Sequence, residues 1–406
     1  MKLSGIKIEK LFGQFDYDIK LNQEEGITIL TGPNGYGKTT ILNIIWSVFN
    51  QKFNVLQRIK IKNVSLLFTN GMSLVFTIKK ERGQAALIRP IITVLQAEVF
   101  LNNEKIEFEK HVCEHSNGGN SIEFSNKKII ELIRSQAVYL IKDQRLTYTV
   151  EAIKRDGTIK RDGTVKRNGA AILNTIDLFS RNLVELISGI KSEEDKQALI
   201  LADSFPERLL KYGQPLSQAV FEERFKRLSD KQQCLQKYGM NPGVFTKSEY
   251  EGENQRVLSV YLEDYEQKTA LYDELLGKIE LFLSILNEKK LVNKTAVVNA
   301  EKGFYFFSSE EKSLSLTALS SGEQNEIILL YELLFNAPPN SLVLIDEPET
   351  SMHVAWQLEF IRDLKKITGI NLLSFIIATH SPDIINDNSS IDLYELIHGD
   401  AEGDDE

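Results

Sequence analysis

Hydrophobic and polar positions alternate near the start of the chain in a way that predicts β-strands. The period of two runs through Ile6, Ile8, Tyr17, Ile19, Leu21, Ile27 and Ile29, with breaks at Gly13 and Gly26. Two further alternating segments, Val64–Phe68 and Leu74–Ile78, flank Thr69-Asn70-Gly71, a sequence typical of a tight hairpin turn. These segments predict an antiparallel arm beside a central sheet.

Three other runs are apolar without alternation, which is typical of strands buried on both faces of a parallel sheet. They are Val138–Ile141, Leu342–Ile345 and Leu372–Ala378. Polar residues follow each run, and open α/β sheets place ligands at the carboxyl ends of their strands. The candidate site residues at these ends are Gln144, Asp346, Glu347 and His380.

From about Asn174 to Lys290 the chain is charged, and its apolar residues recur at helical spacing. This stripe predicts a long helix that packs on Ala219–Cys234 as a helical hairpin. Prolines are expected to interrupt the region, because proline removes a backbone donor and clashes with the preceding turn. The stripe comprises Val257, Tyr261, Tyr265, Leu271, Leu275, Ile279, Phe282 and Leu286, and the prolines are Pro206, Pro215 and Pro242. Strands are expected again at Val292–Val298 and Phe304–Phe307.

The expected fold is α/β, with a mixed central sheet, an antiparallel β arm and an inserted helical hairpin or short coiled-coil arm. Four segments are predicted: an N-terminal lobe at 1–150, a basic loop and helical insertion at 151–292, a C-terminal lobe at 293–396 and an acidic tail at 397–406. The two lobes are expected to complete one site. The tail is expected to be disordered and solvated.

Composition narrows the class of protein. The chain has 406 residues, 42% of them hydrophobic, and a net charge of −9. No apolar run approaches the roughly 20 residues of a membrane helix, and Met1-Lys2-Leu3 leads into a strand instead of a signal sequence. The two cysteines, Cys113 and Cys234, predict no disulfide framework. We therefore expect a cytoplasmic protein without membrane contact.

A basic repeat is the one feature that favours nucleic acid. Lys154-Arg155-Asp156-Gly157 recurs as Lys160-Arg161-Asp162-Gly163 and again, with asparagine, at 166–169. The Asp-Gly and Asn-Gly steps predict an exposed, turn-rich loop that is locally positive. A solvated surface insertion is the favoured interpretation, because no aromatic residue is interleaved for base stacking. A contact with nucleic acid or an acidic partner is left open.

The segment Gly32–Thr39 contains the strongest motif. It has the complete pattern G-x-x-x-x-G-K-[ST] and lies between a predicted strand and a predicted helix, the context of a phosphate-binding loop. Backbone N–H groups and the helix amino terminus would face phosphate oxygens. Lys38 would contact the β- and γ-phosphates, and the Thr39 hydroxyl would bind Mg²⁺. The predicted nucleotide contacts are Gly32, Pro33, Asn34, Gly35, Tyr36, Gly37, Lys38, Thr39 and Thr40.

Acidic and imidazole groups at the other strand ends suit hydrolysis. Asp346 would hold Mg²⁺, and Glu347 would orient and deprotonate the attacking water. His380 would donate a hydrogen bond to the γ-phosphate or the water. Leu319–Gln324 begins another predicted helix, where Ser320 and Glu323 have the spacing of a capping box. Ser320 and Gly322 could also form a second anion site, and both interpretations can hold.

Together these motifs resemble the ABC-type ATPases, whose phosphate loop, Q-loop, signature, Asp-Glu strand end and switch histidine follow in this order. The resemblance implies ATP and Mg²⁺ as ligands, with Gln144 contacting nucleotide and metal. It also implies an ATP-sandwich dimer or a higher oligomer, in which Ser320 and Gly322 of one subunit close on the nucleotide held by Lys38 of another. Ser321 stands where many relatives have glycine. Glu323 stands where transporters often carry glutamine and resembles SMC-like and OLD-like members, so transport is disfavoured.

The segments Asp346–His353 and Ala378–Pro382 resemble the OLD-like ATPases of prokaryotic defence. OLD nucleases continue into a Toprim domain with its own acidic cluster, which we do not expect in this protein. The opening Leu11–Ile19, with Thr31–Thr40 and 144–146, is most similar to the stand-alone ATPases of PARIS-type anti-phage systems. The resemblance implies an ATP-driven switch that controls a separate toxic nuclease and responds to a phage protein. Two alternatives stay open: an SMC-like ATPase of DNA repair or tethering, and a nucleotide-dependent scaffold with little turnover, against which the intact Glu347 argues.

Overall fold

The computed structural model describes residues 1–82, 91–114, 122–143, 145–150, 165–167, 170–240, 243, 250–252, 254–289, 291, 293–385 and 391–397. The chain forms two compact units, of which the first comprises Met1–Gln144 and Phe335–Glu406 and the second Arg145–Leu334. The predicted functional lobes, 1–150 and 293–396, stay a prediction. Residues 293–334, which the sequence assigned to the C-terminal lobe, belong to the second unit by their contacts.

The bounds of the elements follow the chain. The first part of unit one contains strands β1 (Leu3–Leu11), β2 (Phe15–Lys20), β3 (Ile27–Thr31), β4 (Asn63–Phe68), β5 (Met72–Arg82), β6 (Ile91–Leu101), β7 (Glu104–Glu114) and β8 (Val138–Ile141), with helices α1 (Lys38–Phe49), α2 (Asn54–Arg58) and α3 (Lys127–Arg134). The second unit contains β9 (Thr147–Val150), β10 (Val165–Arg167), β11 (Ala170–Asn174), β12 (Lys294–Asn299), β13 (Gly303–Ser308) and β14 (Ser313–Leu314), with α4 (Thr175–Lys211), α5 (Gln218–Lys237), α6 (Asn254–Ala270), α7 (Asp273–Glu288) and α8 (Ser321–Tyr331). The chain returns to unit one with β15 (Leu342–Asp346), β16 (Ser374–Ala378), β17 (Asp392–Glu395), α9 (Val354–Asn371) and α10 (Pro382–Ile385).

A six-stranded antiparallel sheet with the order β2-β1-β4-β5-β6-β7 forms the predicted arm of unit one. The alternation of apolar and polar residues in this sheet reflects one buried face: Val64, Leu66 and Phe68 of β4 are buried, and the residues between them are not. The hairpin predicted at Thr69-Asn70-Gly71 joins β4 and β5 and is confirmed. The pair β6 and β7 extends the arm beyond the strands that the sequence predicted.

A five-stranded sheet with the order β17-β3-β16-β15-β8 contains only parallel pairs. The predicted apolar strands are confirmed as β3, β8, β15 and β16, and every residue of β15 is buried. Helix α1 contributes Ile41, Leu42 and Ile45 to a core that also contains β1, β4 and β5. Because all five strands run the same way, their carboxyl ends meet at one edge of the sheet.

The second unit is the helical insertion, and two details of its prediction were wrong. Pro206 lies inside the 37-residue helix α4, where Ser204 and Arg208 side chains bond to the carbonyl of Leu201. The stripe from 257 to 286 is not one helix, because α6 ends at Ala270 and α7 begins at Asp273. The predicted packing against 219–234 is present: Arg224 of α5 pairs with Glu266 of α6.

The predicted fold class is confirmed: the fold is α/β, with antiparallel and parallel sheets and a helical insertion. The central sheet, which was expected to be mixed, has only parallel pairs. Of the basic repeat, only the backbone of Val165–Arg167 belongs to the described residues. The predicted tail lies outside them except for Ile397. Over the described part of the chain, none of the helices has the combined length and apolar character of a membrane span.

Candidate nucleotide-binding site

The loop between β3 and α1 has the backbone of a phosphate-binding loop. Gly32, Gly35 and Gly37 have φ angles of 136°, 90° and 93°, a region that side chains disfavour. A Cβ at Gly32 would lie 2.6 Å from the carbonyl oxygen of Leu396, so this position also lacks space. The hydroxyl of Tyr17 donates a 2.8 Å hydrogen bond to the carbonyl of Tyr36 and braces the loop. The glycines therefore permit the close turn that leads into α1.

Lys38, the first residue of α1, is buried within this loop. Its Nζ donates hydrogen bonds to the carbonyl oxygens of Gly32, at 2.7 Å, and Pro33, at 3.3 Å. Burial lowers the pKa of Lys38, and the charges of Glu347, Asp346 and Glu349 oppose that shift. The ammonium group is thus held at the loop in the field of three carboxylates.

Thr39 and Asp346 join the loop helix to the end of β15. The Thr39 hydroxyl donates a 3.0 Å hydrogen bond to Asp346 Oδ1 across 307 positions of sequence. Burial raises the pKa of Asp346, and the negative charges of Glu347 and Asp143 add to this effect. The hydrogen bond from Thr39 and the charge of Lys38 act in the opposite direction. A cation beside Asp346 would favour its ionised form.

The Thr39–Asp346 pair fits Mg²⁺. This ion takes oxygen ligands and is commonly held by one or two protein groups together with substrate phosphates and water. Among the described residues, no cluster of three His, Cys, Asp or Glu side chains has metal-binding geometry. The Thr39 hydroxyl and the Asp346 carboxylate, 3.0 Å apart at the phosphate loop, have the donor chemistry of a magnesium–nucleotide site.

Glu347 follows β15 in an unusual backbone conformation, with a φ of 44°. Its N–H donates a 2.9 Å hydrogen bond to the carbonyl of Ala378, which extends the pairing of β15 with β16 by one step. Non-glycine residues with positive φ cost about 1–3 kcal/mol and cluster at functional sites. The positive φ of Glu347 is a conformation of this kind, at the point where the chain leaves the sheet.

His380 lies just after β16. The N–H of the preceding residue, Thr379, bonds to the carbonyl of Leu30 in β3, and the His380 side chain is exposed. The loop after β3, the end of β15 and the end of β16 thus meet at one edge, as the sequence predicted. The structure brings together the residues of the phosphate loop, Thr39, Asp346, Glu347 and His380.

Other predicted positions contribute less. Pro33, Asn34 and Gly35 are exposed on the loop, and Thr40 is half-buried on the first turn of α1. Gln144, predicted to contact nucleotide and metal, lies outside the described residues.

Sequence reasoning missed three residues in this region: Asp143, Glu349 and Gln357. Glu349 Oε1 accepts a 2.6 Å hydrogen bond from the backbone N–H of His380. Gln357 of α9 accepts a 2.5 Å bond from the hydroxyl of Ser381. Glu349 was visible in the sequence as the third acid of Asp346–Glu349, but its bond to a backbone group was not.

Ser320 and Gly322 belong to the second unit. Ser320 is the N-cap of α8: its hydroxyl accepts a 3.3 Å bond from the N–H of Glu323, and Glu323 Oε2 accepts a 2.8 Å bond from the N–H of Ser320. The predicted capping box is confirmed. Ser320 is exposed and Gly322 half-buried, so the amino terminus of α8 is accessible within its unit.

Lys294 of β12 adds a charge pair to the capping box. Its Nζ lies 2.6 Å from Glu323 Oε1. Burial acts to raise the pKa of Glu323, but the bonds from Lys294 and the backbone of Ser320 outweigh it and lower the pKa. Glu323 therefore serves both as cap and as ion-pair partner.

Comparison with known proteins agrees with this geometry. The family described as AAA ATPase domain matches residues 1–385. No curated protein matches the chain. Among solved structures, the Smc head domain of Pyrococcus furiosus with an extended coiled coil, bound to the C-terminal domain of ScpA, is 13% identical with a TM-score of 0.41 and covers 98% of this chain and 94% of its own. The SMC head domain of Thermotoga maritima is 13% identical with a TM-score of 0.36 and covers 97% and 94%.

The match to the family spans most of the chain, from the first strand to the loop after His380, and includes every element of the site described in unit one. The chain belongs to the AAA ATPase domain family.

Proposed function

We propose that the protein is an ATP-hydrolysing switch whose nucleotide joins two copies of the chain, and that it controls a separate toxic nuclease in anti-phage defence. The observation that supports the nucleotide chemistry most directly is the 3.0 Å bond between Thr39 and Asp346. It joins the phosphate-loop helix to the acidic strand end, as a shared magnesium site requires. The membership in an ATPase family agrees with it.

In this proposal the loop binds the triphosphate. The N–H groups at the start of α1 would face the phosphate oxygens, and the helix dipole adds to that attraction. Lys38 would exchange its two carbonyl partners for β- and γ-phosphate oxygens, which are stronger acceptors for an ammonium group. Thr39 and Asp346 would hold Mg²⁺, which when bound supplies charge neutralisation at the phosphates.

Glu347 and His380 would act on the water. The Glu347 carboxylate would orient the attacking water and take its proton. The His380 imidazole would donate a hydrogen bond toward the charge that develops on the γ-phosphate. Glu347 and His380 follow adjacent parallel strands, β15 and β16, which are paired up to Asp346 and Ala378. The pairing fixes the positions of the backbone from which the two side chains extend.

The amino terminus of α8 would close the site of a second copy. Its capping box satisfies the N–H groups of Ser320 and Glu323, while the first helical N–H groups, at Ser321 and Gly322, can face an anion. Nucleotide would then stabilise an association between like subunits, and hydrolysis would release it. This on–off association is the switch that an effector can sense.

The defence role and the separate effector rest on the resemblance to OLD-like and PARIS-type ATPases. A strain that carries the locus should resist phage, and Lys38→Ala should abolish that resistance because the switch no longer binds ATP. Plaque counts with wild type and variant test this. A neighbouring gene for a Toprim-like nuclease would support the defence proposal. A neighbouring gene for a repair nuclease, together with ATP hydrolysis that DNA stimulates, would contradict it and favour direct action on nucleic acid.

The site itself is tested by two substitutions with opposite outcomes. Lys38→Ala should lose ATP binding, measured with a fluorescent ATP analogue, because the phosphates lose their buried cation. Glu347→Gln should bind ATP as wild type does and lose hydrolysis by about 100-fold or more, since the general base is removed. With Mg²⁺ and ATP it should accumulate a dimer in light scattering.

Lys52→Ala is the matched control, an exposed lysine just after α1 whose backbone N–H bonds to the carbonyl of Ser47 and whose carbonyl accepts a bond from the N–H of Val55. It should bind and hydrolyse ATP normally. Unimpaired hydrolysis in both Lys38→Ala and Glu347→Gln would refute the assignment of the site.

A further inference from the structure

The loop that carries His380 is fastened to the loop that follows β15. Glu349 Oε1 accepts the 2.6 Å hydrogen bond from the His380 N–H, so the contact is to the backbone and leaves the imidazole free to point elsewhere. One residue further, the Ser381 hydroxyl donates a 2.5 Å bond to Gln357 Oε1. Two successive residues of the histidine loop are thus held by side chains from one neighbouring segment.

That segment is itself rigid. The N–H of Thr350 bonds to the carbonyl of Glu347, and the N–H of Met352 bonds to the carbonyl of Glu349, which makes two overlapping turns. Gln357 Nε2 donates a 2.9 Å bond to the carbonyl of Met352. Gln357 therefore clamps the end of these turns with one atom of its amide and the histidine loop with the other.

The second carboxylate oxygen of Glu349 has a different environment. Glu349 Oε2 is buried and makes no hydrogen bond to any described residue. A carboxylate that only satisfied a backbone N–H would gain more by exposing this oxygen to water. The buried Oε2, together with the occupied Oε1, indicates that the group is held in place by the loop geometry.

From these contacts we infer that Glu349, assisted by Gln357, is a positioning residue that sets the backbone of His380 relative to Glu347. The inference rests on the proposed function, since it assumes that His380 acts in hydrolysis. The physical reason is that His380 is exposed and would otherwise sample many orientations, and misplacement by about 1 Å can reduce a rate by about 100-fold. Glu349 provides an acceptor, not a proton or a metal ligand.

The test compares Glu349→Ala, which removes the acceptor, with Glu349→Gln, which keeps an acceptor oxygen and removes the charge. Glu349→Ala should lower kcat by about 10–100-fold and change KM for ATP by less than about threefold. Glu349→Gln should retain at least about half of the wild-type kcat. Gln357→Ala should resemble Glu349→Ala more weakly, and the double alanine variant should lose less than the product of the two effects, because both act on one loop.

A second measurement does not depend on activity. Amide hydrogen exchange of the peptide containing His380 should be about tenfold faster in Glu349→Ala and within about threefold of wild type in Glu349→Gln. Glu24→Ala, an exposed glutamate before β3 at the opposite end of the sheet, should change neither exchange nor kcat.

The outcomes separate the two proposals. Unchanged exchange and kcat in Glu349→Ala would overturn the inference, and so would equal losses in Glu349→Ala and Glu349→Gln, which would assign the effect to charge. The two proposals can also fail separately. If amide exchange responds as expected but the wild-type protein hydrolyses ATP no faster than Lys38→Ala, the positioning contact is supported and the ATPase proposal is refuted.

Discussion

At the scale of single residues, the site depends on glycines whose replacement by any other residue would lower the stability of the fold. Gly32 and Gly35 both have positive φ, but they differ in the space around them. A Cβ at Gly32 would meet the Leu396 carbonyl at 2.6 Å, whereas a Cβ at Gly35 would have nothing within 4 Å. The pair therefore separates backbone strain from steric conflict.

We expect Gly35→Ala to lower the free energy of unfolding by about 1 kcal/mol, from strain alone. Gly32→Ala should lower it by about 3 kcal/mol, because a backbone atom cannot move aside as a side chain can. Urea unfolding of both variants without nucleotide measures the difference. Equal losses would show that the loop relaxes around Gly32.

Much of the residue-level site could be predicted from sequence. Lys38, Thr39 and Asp346 belong to motifs whose chemistry fixes their spacing, and Thr39 and Asp346 are hydrogen-bonded as that chemistry expects. The bond from the His380 N–H to Glu349 could not be predicted, because every residue except proline offers a backbone N–H and the sequence does not show which one meets a carboxylate.

At the scale of elements, prediction depended on how strongly the local pattern identified one structure. The continuous apolar runs of β15 and β16 were found because strands buried on both faces have few alternatives. The sequence predicted helical structure from about Asn174, but it missed the continuity of α4 because proline usually ends a helix. Side-chain bonds from Ser204 and Arg208 accompany an unbroken helical backbone around Pro206. These bonds lie within α4 itself, and Arg208 also pairs with Asp264 of α6, a tertiary contact that local propensity does not show.

The amino terminus of α8 allows a prediction of pH dependence. The pKa of Glu323 is lowered, so the ionised form is favoured in the folded state. A carboxyl of this kind contributes stability above its unfolded value, near 4.5, and loses that contribution as the pH falls through its folded value.

Glu323→Gln keeps a side chain that can cap the helix but loses the charge opposite Lys294. At pH 7 the variant should be less stable than wild type by about 1–2 kcal/mol. The difference should begin to shrink as the pH falls below 4.5, where the unfolded chain takes up a proton, and should be lost once the pH is below the lowered pKa of the folded state, where wild-type Glu323 is protonated too. Chemical unfolding across this range measures it, and a difference that persists at low pH would contradict the charge-pair explanation.

At the scale of the whole molecule, the proposal makes each complete site a product of two chains. Lys38 would come from one copy and Ser320 from the other. The Ser320→Glu substitution places a negative charge at the start of α8, where it should repel the triphosphate without affecting ATP binding to Lys38. Alone, Ser320→Glu should bind ATP and not hydrolyse it, and Lys38→Ala should do neither.

A mixture of these two inactive variants should regain activity. In a mixed dimer one site combines the intact loop of the Ser320→Glu chain with the intact α8 of the Lys38→Ala chain, while the other site has both defects. With equal amounts and random pairing, half of the dimers are mixed and half of their sites are complete, so activity should reach about a quarter of wild type. Phosphate release over a range of mixing ratios measures this, with a maximum expected at equal amounts. A mixture as inactive as its components would show that hydrolysis does not use α8 of a second copy, because a site made within one chain has nothing to gain from mixing.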